Sequence, residues 1–242
     1  MSIVVIPARM ASSRLPGKPL KKISGVPMIL RVAENCLKTS ADRVIVATDS
    51  EEIMRTCETL DGLESTMSSP DIKSGTDRVA VVAKYILDDV FINVQGDEPF
   101  IDPELINALI KDLEENPDVM MNTAACRFSE GEDVNDPNSV KVVMDKDGFA
   151  LYFSRSSIPH DRDNSGKADC YKHIGIYGFR KDWLMKFSEM EESSLESVEK
   201  LEQLRALENG VKIKVIKTDY KPVSVDTEED LKKAEELMDG RI

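Results

Sequence analysis

Three cations, Arg9, Arg14 and Lys18, fall in one short stretch directly after an uninterrupted apolar run, Ser2-Ile3-Val4-Val5-Ile6. Residues 7–20 hold one glycine, Gly17, two prolines ahead of the lysine, and small residues between. A loop of small residues leaving a buried strand lets backbone N–H groups approach a ligand. Its cations make that ligand an anion, a polyphosphate by preference. No acidic residue precedes Glu34, although the whole chain carries a formal charge of −13. The stretch is not a P-loop, because Ser12 and Pro19 stand where that pattern needs Gly and Ser or Thr. Nor is it the dinucleotide fingerprint, which needs three glycines.

A second constellation is acidic. Asn93-Val94-Gln95-Gly96-Asp97-Glu98-Pro99 closes another apolar run. Gly96 allows a sharp turn and sets Asp97 at the strand's carboxyl end. There, facing a polyphosphate, Asp97 is a natural Mg²⁺ ligand, or else a turn-forming Asp. Two aspartates can hold hard cations that bridge phosphate oxygens in an in-line displacement. Asp226, in Val225-Asp226-Thr227-Glu228-Glu229-Asp230, is the candidate second ligand, although spacing alone favours an ordinary helix cap. Ser74-Gly75-Thr76-Asp77-Arg78 opens a helix, either to read a base or phosphate with backbone donors or as a capped end with a surface Arg. Arg155, Lys172 and His173 lie in strand-like segments and suit a carboxylate-bearing substrate, with Arg the bidentate partner. A lone His is more often structural. Glu202, Arg205 and Glu208 recur at i, i+3, which a surface ion-pair ladder explains. No side-chain nucleophile or general base stands out.

These residues need elements to position them. The first half alternates: strand 2–6, a helix from Pro27 to Cys36, strand 43–47, a helix capped by Ser50, a helix over 76–87, strand 90–94, and a helix after Asp102-Pro103. Strands apolar throughout, joined by helices, predict an α/β fold: a Rossmann-like, mostly parallel sheet flanked by helices. Ligands of such sheets bind beyond the strands' carboxyl ends. The second half reads as a hairpin, 140–144 and 150–154, around Asp145-Lys146-Asp147-Gly148. A polar, mobile loop over 159–170 and a strand over 171–179 follow. One helix over 195–208 with Leu195, Val198, Leu201, Leu204 and Leu207 as its stripe comes next, then strand 211–216 and a terminal helix over 227–238. The chain reads as a single domain, 1–242, with an antiparallel lobe at about 130–180.

Composition narrows the classes. The 242 residues are 41% hydrophobic and 32% charged, which suits a soluble globular protein with a sizeable core. No run approaches the roughly 20 apolar residues of a bilayer span, so membrane insertion is not expected, and the start lacks a signal-peptide pattern. A focused basic site in an acidic body disfavours nucleic acid and suits a small anion. Cys36, Cys57, Cys126 and Cys170 form no Cys-x-x-Cys pair, so buried or free thiols in a reducing compartment are expected.

Taken together, Ile6-Pro7-Ala8-Arg9, Ser13-Arg14-Leu15-Pro16-Gly17-Lys18-Pro19-Leu20, Val46-Ala47-Thr48-Asp49, Ser74-Gly75-Thr76-Asp77-Arg78 and Asn93-Val94-Gln95-Gly96-Asp97-Glu98-Pro99 resemble the 3-deoxy-manno-octulosonate cytidylyltransferases. So do Ala150-Leu151-Tyr152-Phe153-Ser154-Arg155, His173-Ile174-Gly175-Ile176-Tyr177-Gly178, Leu201-Glu202-Gln203-Leu204-Arg205 and Val225-Asp226-Thr227. The blocks span nearly the whole chain. The resemblance implies a nucleotide-diphospho-sugar transferase fold and a reaction of CTP with 3-deoxy-manno-octulosonate (Kdo), an acidic eight-carbon sugar. The products are CMP-Kdo and pyrophosphate, the reaction needs Mg²⁺, and it serves lipopolysaccharide synthesis in the cytoplasm. It implies a homodimer built through the smaller lobe. By position, Arg9, Arg14 and Lys18 would hold the triphosphate, with Arg14 and Lys18 stabilising the leaving pyrophosphate. Ala8, Ser74 and Gln95 would surround the cytidine, and Asp97 and Asp226 would bind metal. Arg155, His173, Glu202 and Gln203 would line the sugar pocket. Metal-assisted deprotonation of the sugar hydroxyl then replaces a side-chain base. An 8-amino variant of Kdo or a sialic-acid-like sugar stays open as substrate, as does a non-catalytic nucleotide-sugar sensor, which two intact aspartates argue against.

Overall fold

A computed structural model describes residues 1–12, 14–163 and 169–241. Ser13 of the cationic stretch and residues 164–168 of the loop expected over 159–170 lie outside the described residues. The chain begins with β1 (Ser2–Ala8), a 3-10 turn (Lys18–Leu20), and a small ribbon of β2 (Lys22–Ile23) and β3 (Val26–Pro27). There follow α1 (Met28–Cys36), β4 (Arg43–Thr48), α2 (Glu51–Cys57), β5 (Leu63–Met67), α3 (Gly75–Ala83), β6 (Val90–Asn93) and α4 (Pro103–Glu115). Then come β7 (Met121–Arg127), the hairpin β8 (Lys141–Met144) and β9 (Ala150–Ser154), β10 (Tyr171–Arg180) and α5 (Lys181–Ser188). The chain closes with α6 (Ser194–Glu199), α7 (Leu204–Glu208), β11 (Ile213–Thr218) and α8 (Glu228–Met238).

The main sheet runs β11-β7-β10-β6-β1-β4-β5. β1 pairs in parallel with β4 and β6, with Ala8 opposite Thr48 and Val5 opposite Asn93. β10 is the antiparallel member, between β6 and β7, and carries the hairpin on its first residues. This is the mostly parallel α/β sheet that the apolar strands predict. Period-two alternation splits its side chains between two layers. Val4, Ile6, Val44, Val46 and Ile92 pack under α1 and α4. Ile3, Val5, Ile45 and Phe91 pack against α3 and α5. The carboxyl ends of β1, β4 and β6 consequently open together at one edge.

Several expectations need correction. The helix expected over 76–87 ends at Ala83, and Ile86 lies beyond it. The strand expected from residue 211 begins at Ile213. The helix expected over 195–208 is two helices, because Lys200 takes a left-handed conformation with φ 54°. Val198 of its presumed apolar stripe is 83% exposed. The break has a function in the packing: it turns Glu199 so that its carboxylate accepts from Ser154 Oγ at 2.6 Å and from the Arg155 amide at 2.9 Å. Nor is there a surface ladder. Arg205 forks onto Glu196, both largely buried, at 2.6 and 2.8 Å, while Glu208 accepts from Ser194 Oγ and the Leu195 amide. Cys36, Cys57 and Cys126 are buried free thiols, and Cys170 is partly exposed.

Candidate active site

The cationic loop is built around one glycine. Gly17 sits at φ 68°, a conformation that costs other residues strain, and so starts the 3-10 turn that aims Lys18 inward. Leu15 is fully buried beside it and its carbonyl accepts from the Lys18 amide at 3.1 Å. Gly96 lies in the expected turn, closed by the Glu98 amide donating to the Gln95 carbonyl at 3.3 Å, and it also meets a steric limit. A Cβ there would lie 3.0 Å from the Pro7 carbonyl oxygen, so only glycine lets the β6 loop press against the β1 loop.

Two carboxylates converge on the lysine. Lys18 Nζ lies 2.6 Å from Asp97 Oδ2 and 3.1 Å from Asp226 Oδ1, and Arg14 reaches the same Asp226 oxygen at 3.0 Å. Burial works to lower the Lys18 pKa, but Asp97 and Asp226 outweigh it and hold it above its ordinary value. The chain closes the gap between residues 97 and 226 with a single backbone hydrogen bond, the Val225 amide to the Asp97 carbonyl at 2.9 Å. Asp226 is not the helix cap. That role belongs to Thr227, whose side chain accepts from the Asp230 amide while Asp230 returns the bond, a capping box that leaves the Asp226 carboxylate for the site.

These groups line a cavity of about 280 Å³ at the carboxyl ends of the strands, together with Ala8, Arg9, Ser74 and Gln95. All eight residues expected around nucleotide and metal are thus brought together. Ser74 is the cap of α3, its Oγ accepting from the Asp77 amide at 3.0 Å. Two further residues, to which the sequence assigns no role in the site, also belong to it. Asp49, following β4, accepts from the Met10 amide at 3.0 Å and tethers the cationic loop. Arg78 is no surface residue: it is 3% exposed, lines the cavity, hydrogen-bonds Ser68 and lies 3.5 Å from Asp49. Its position four residues before Val82, on the apolar face of α3, was the available signal.

A second cavity of about 520 Å³ shares Gly75 and Gln95 with the first. His173, Glu202 and Gln203 line it, with Glu98, Lys172 and Tyr177. Gln203, in this wall, is 3% exposed, and its buried Nε2 has no hydrogen-bond partner among the described residues. Burial pushes the Glu202 carboxyl up, and pushes Glu98 to about 8. Arg155 is elsewhere. Its guanidinium donates to the carbonyls of Glu199 at 2.8 Å, Pro137 at 2.9 Å and Lys200 at 3.4 Å, bracing the turn that presents Glu202 and Gln203. The hairpin strand β8 is braced likewise by buried Lys141, which donates to the carbonyls of Asp136, Ser139 and Arg155.

His173 Nε2 lies 2.9 Å from Thr123 Oγ1, whose single hydrogen goes to the Ile176 carbonyl at 2.7 Å. The ring nitrogen is therefore the donor, which fixes the tautomer and leaves Nδ1 an acceptor. Phe153 meets the ring edge-on, with centroids 5.0 Å apart. Burial pushes the imidazole down to about 3. The unfolded chain binds this proton more readily than the folded one. The stability it contributes is therefore intact above pH 6.5 and is lost as pH falls toward 3. Urea unfolding at pH 6.5 and pH 5 is expected to show about 2 kcal/mol of this loss, and His173→Gln to remove it. An unchanged pH slope in the variant would show that His173 does not carry it.

Comparison with known proteins adds to the geometry. A family model described as Cytidylyltransferase matches residues 3–213. A 3-deoxy-manno-octulosonate cytidylyltransferase of Koribacter versatilis is 50% identical over 99% of this chain and 91% of that protein. One from Trichlorobacter lovleyi is 44% identical over 98% of each. Among solved structures, a CMP:2-keto-3-deoxy-manno-octonic acid synthetase complexed with CTP superposes with a TM-score of 0.94 at 40% identity, over 100% of this chain and 99% of that one.

Proposed function

The chain belongs to the 3-deoxy-manno-octulosonate cytidylyltransferases, and from that premise we propose how its two cavities divide the reaction. As a nucleotidyltransferase it joins CTP and Kdo into CMP-Kdo with release of pyrophosphate. The first cavity takes the nucleotide and the second the sugar. The observation that carries this division is the meeting of Lys18, Asp97 and Asp226 in the wall of a cavity that shares Gly75 and Gln95 with another, whose wall holds a buried unpartnered amide.

Arg9, Arg14 and Lys18 hold the triphosphate, and the last two neutralise charge that builds on the leaving pyrophosphate. Ala8, Ser74 and Gln95 enclose the cytidine. His173, Glu202 and Gln203 orient the sugar so that its anomeric hydroxyl faces the α-phosphorus in line with the departing oxygen. Arg155 contributes by holding the turn before Glu202. The residues fit magnesium as well: Asp97 and Asp226 already share one cation, the Lys18 ammonium, and two carboxylates with substrate phosphates are the usual Mg²⁺ donor set. When bound there, the metal would neutralise phosphate charge and make the sugar hydroxyl easier to deprotonate.

A homodimer is supported by exposed apolar side chains on two elements that are tied together. Leu151 lies on β9 of the hairpin lobe, and Leu195 and Val198 on α6, which Glu199 ties to β9. No helix among the described residues is long and apolar enough to cross a membrane. A cytoplasmic enzyme supplying activated Kdo to lipopolysaccharide fits that observation. Pyrophosphate release with CTP, Mg²⁺ and Kdo tests the reading, with 8-amino-Kdo and sialic acid run in parallel. Release with Kdo at least tenfold faster than with either supports it. Faster release with another sugar reassigns the substrate, and none with any sugar overturns the reading.

A further inference from the structure

We propose that Lys172 recognises the carboxylate of the sugar acid. The inference rests on the reading that the second cavity holds that sugar. Such a substrate brings a negative charge into a cavity whose other ionisable walls are indifferent to it or committed elsewhere. Glu98 and Glu202 supply no positive charge, and burial keeps His173 neutral at working pH. Arg155, the natural bidentate partner, does not line the cavity and is committed to three carbonyls. Lys200 contributes to the wall, but its side chain is 69% exposed and turns to Glu192 at 3.4 Å. Among the described residues, that leaves Lys172, whose side chain is only 23% exposed.

Lys172 is also held in place. Its Nζ lies 2.5 Å from Glu132 Oε1, and Glu132 is itself fixed by accepting from the Ser129 amide at 2.9 Å. The pair stands between the sugar cavity and a smaller one of about 230 Å³, whose walls include Cys126 and Lys221. An ammonium has three donors. Glu132 takes one, which positions the group, and donors remain for a second carboxylate. The ion pair thus serves as a support: it sets a half-buried cation in a wall that holds no other uncommitted one, without cancelling its capacity to donate.

The test compares the sugar acid with its carboxamide, in steady state, for wild type, Lys172→Met, Lys172→Arg and Glu132→Gln. Lys172→Met is expected to raise KM for the acid by about 30-fold while KM for CTP stays within twofold. Its preference for acid over amide should collapse, and Lys172→Arg should restore it. Glu132→Gln should keep that preference. The double variant Lys172→Met/Glu132→Gln leaves no unpaired buried carboxylate and should also lose the preference, which keeps the test usable where the single variant folds poorly. If Lys172→Met still prefers the acid, or if Glu132→Gln alone abolishes the preference, the lysine is structural and the inference fails with the functional reading intact. A wild-type enzyme that makes no product from the acid instead removes the reading itself.

Discussion

Asp97→Asn is expected to lower kcat by roughly 10³ at saturating magnesium, with the fold intact. The substitution keeps the shape of the side chain and removes its charge. Asp97 ends the β6 segment, its backbone carbonyl anchors Val225, and its carboxylate is the nearer of the two that face Lys18. The backbone anchor survives the change, so Asp226 keeps its place and the loss reports the carboxylate alone. Two partly buried aspartates repel CTP's phosphates and work against binding unless a cation lies between them. They are explained by a cation that counts when charge moves onto the pyrophosphate. The loss should therefore fall on kcat, with KM for CTP changed by less than tenfold. Retention of activity within tenfold of wild type would remove the metal role from Asp97.

What the sequence disclosed about this site depended on where burial was apolar. β1 and β6 are uninterrupted hydrophobic runs, so the loops that follow them were legible as ligand-binding edges, and Arg9, Lys18 and Asp97 with them. β7 was not recognised, because Asn122 and Thr123 are fully buried polar residues in its middle. Their partners lie far along the chain: Thr123 donates to the Ile176 carbonyl and Asn122 to the Leu109 carbonyl. No local pattern announces polar groups satisfied from 13 and 53 residues away. β5, Leu-Glu-Ser-Thr-Met at the sheet edge, has too little apolar content to stand out. The break at Lys200 is hidden for the opposite reason. The leucine spacing is helical on both sides of it, while the Glu199 carboxylate that accompanies the turn is held by Ser154 and Arg155, more than 40 residues away. Asp226 was ambiguous because an aspartate and a threonine side by side are both good caps; Thr227 took the role, and the aspartate was left for the site.

Lys18→Met is expected to lower both activity and the stability of the ligand-free protein, and to strengthen its response to magnesium. Activity should fall by about 10³-fold, since the ammonium is the most buried cation placed to neutralise the leaving pyrophosphate. The folded protein without ligand should also be weakened. Asp97 and Asp226 would be left facing each other with only the exposed Arg14 nearby, at a cost of about 2 kcal/mol. For a chain of this size that is a fall in Tm of about 4–8 °C. The same loss, however, vacates the position where both carboxylates converge. In the wild type a divalent cation must displace the lysine to reach them; in the variant it need not. Added Mg²⁺ without nucleotide should therefore raise the Tm of Lys18→Met by several degrees and that of the wild type by much less. Equal shifts in the two proteins would mean that the lysine and the metal do not compete for the same carboxylates. A larger shift in the variant would mean that lysine and metal compete for the two carboxylates, so that any ligand drawing Lys18 away would favour metal binding.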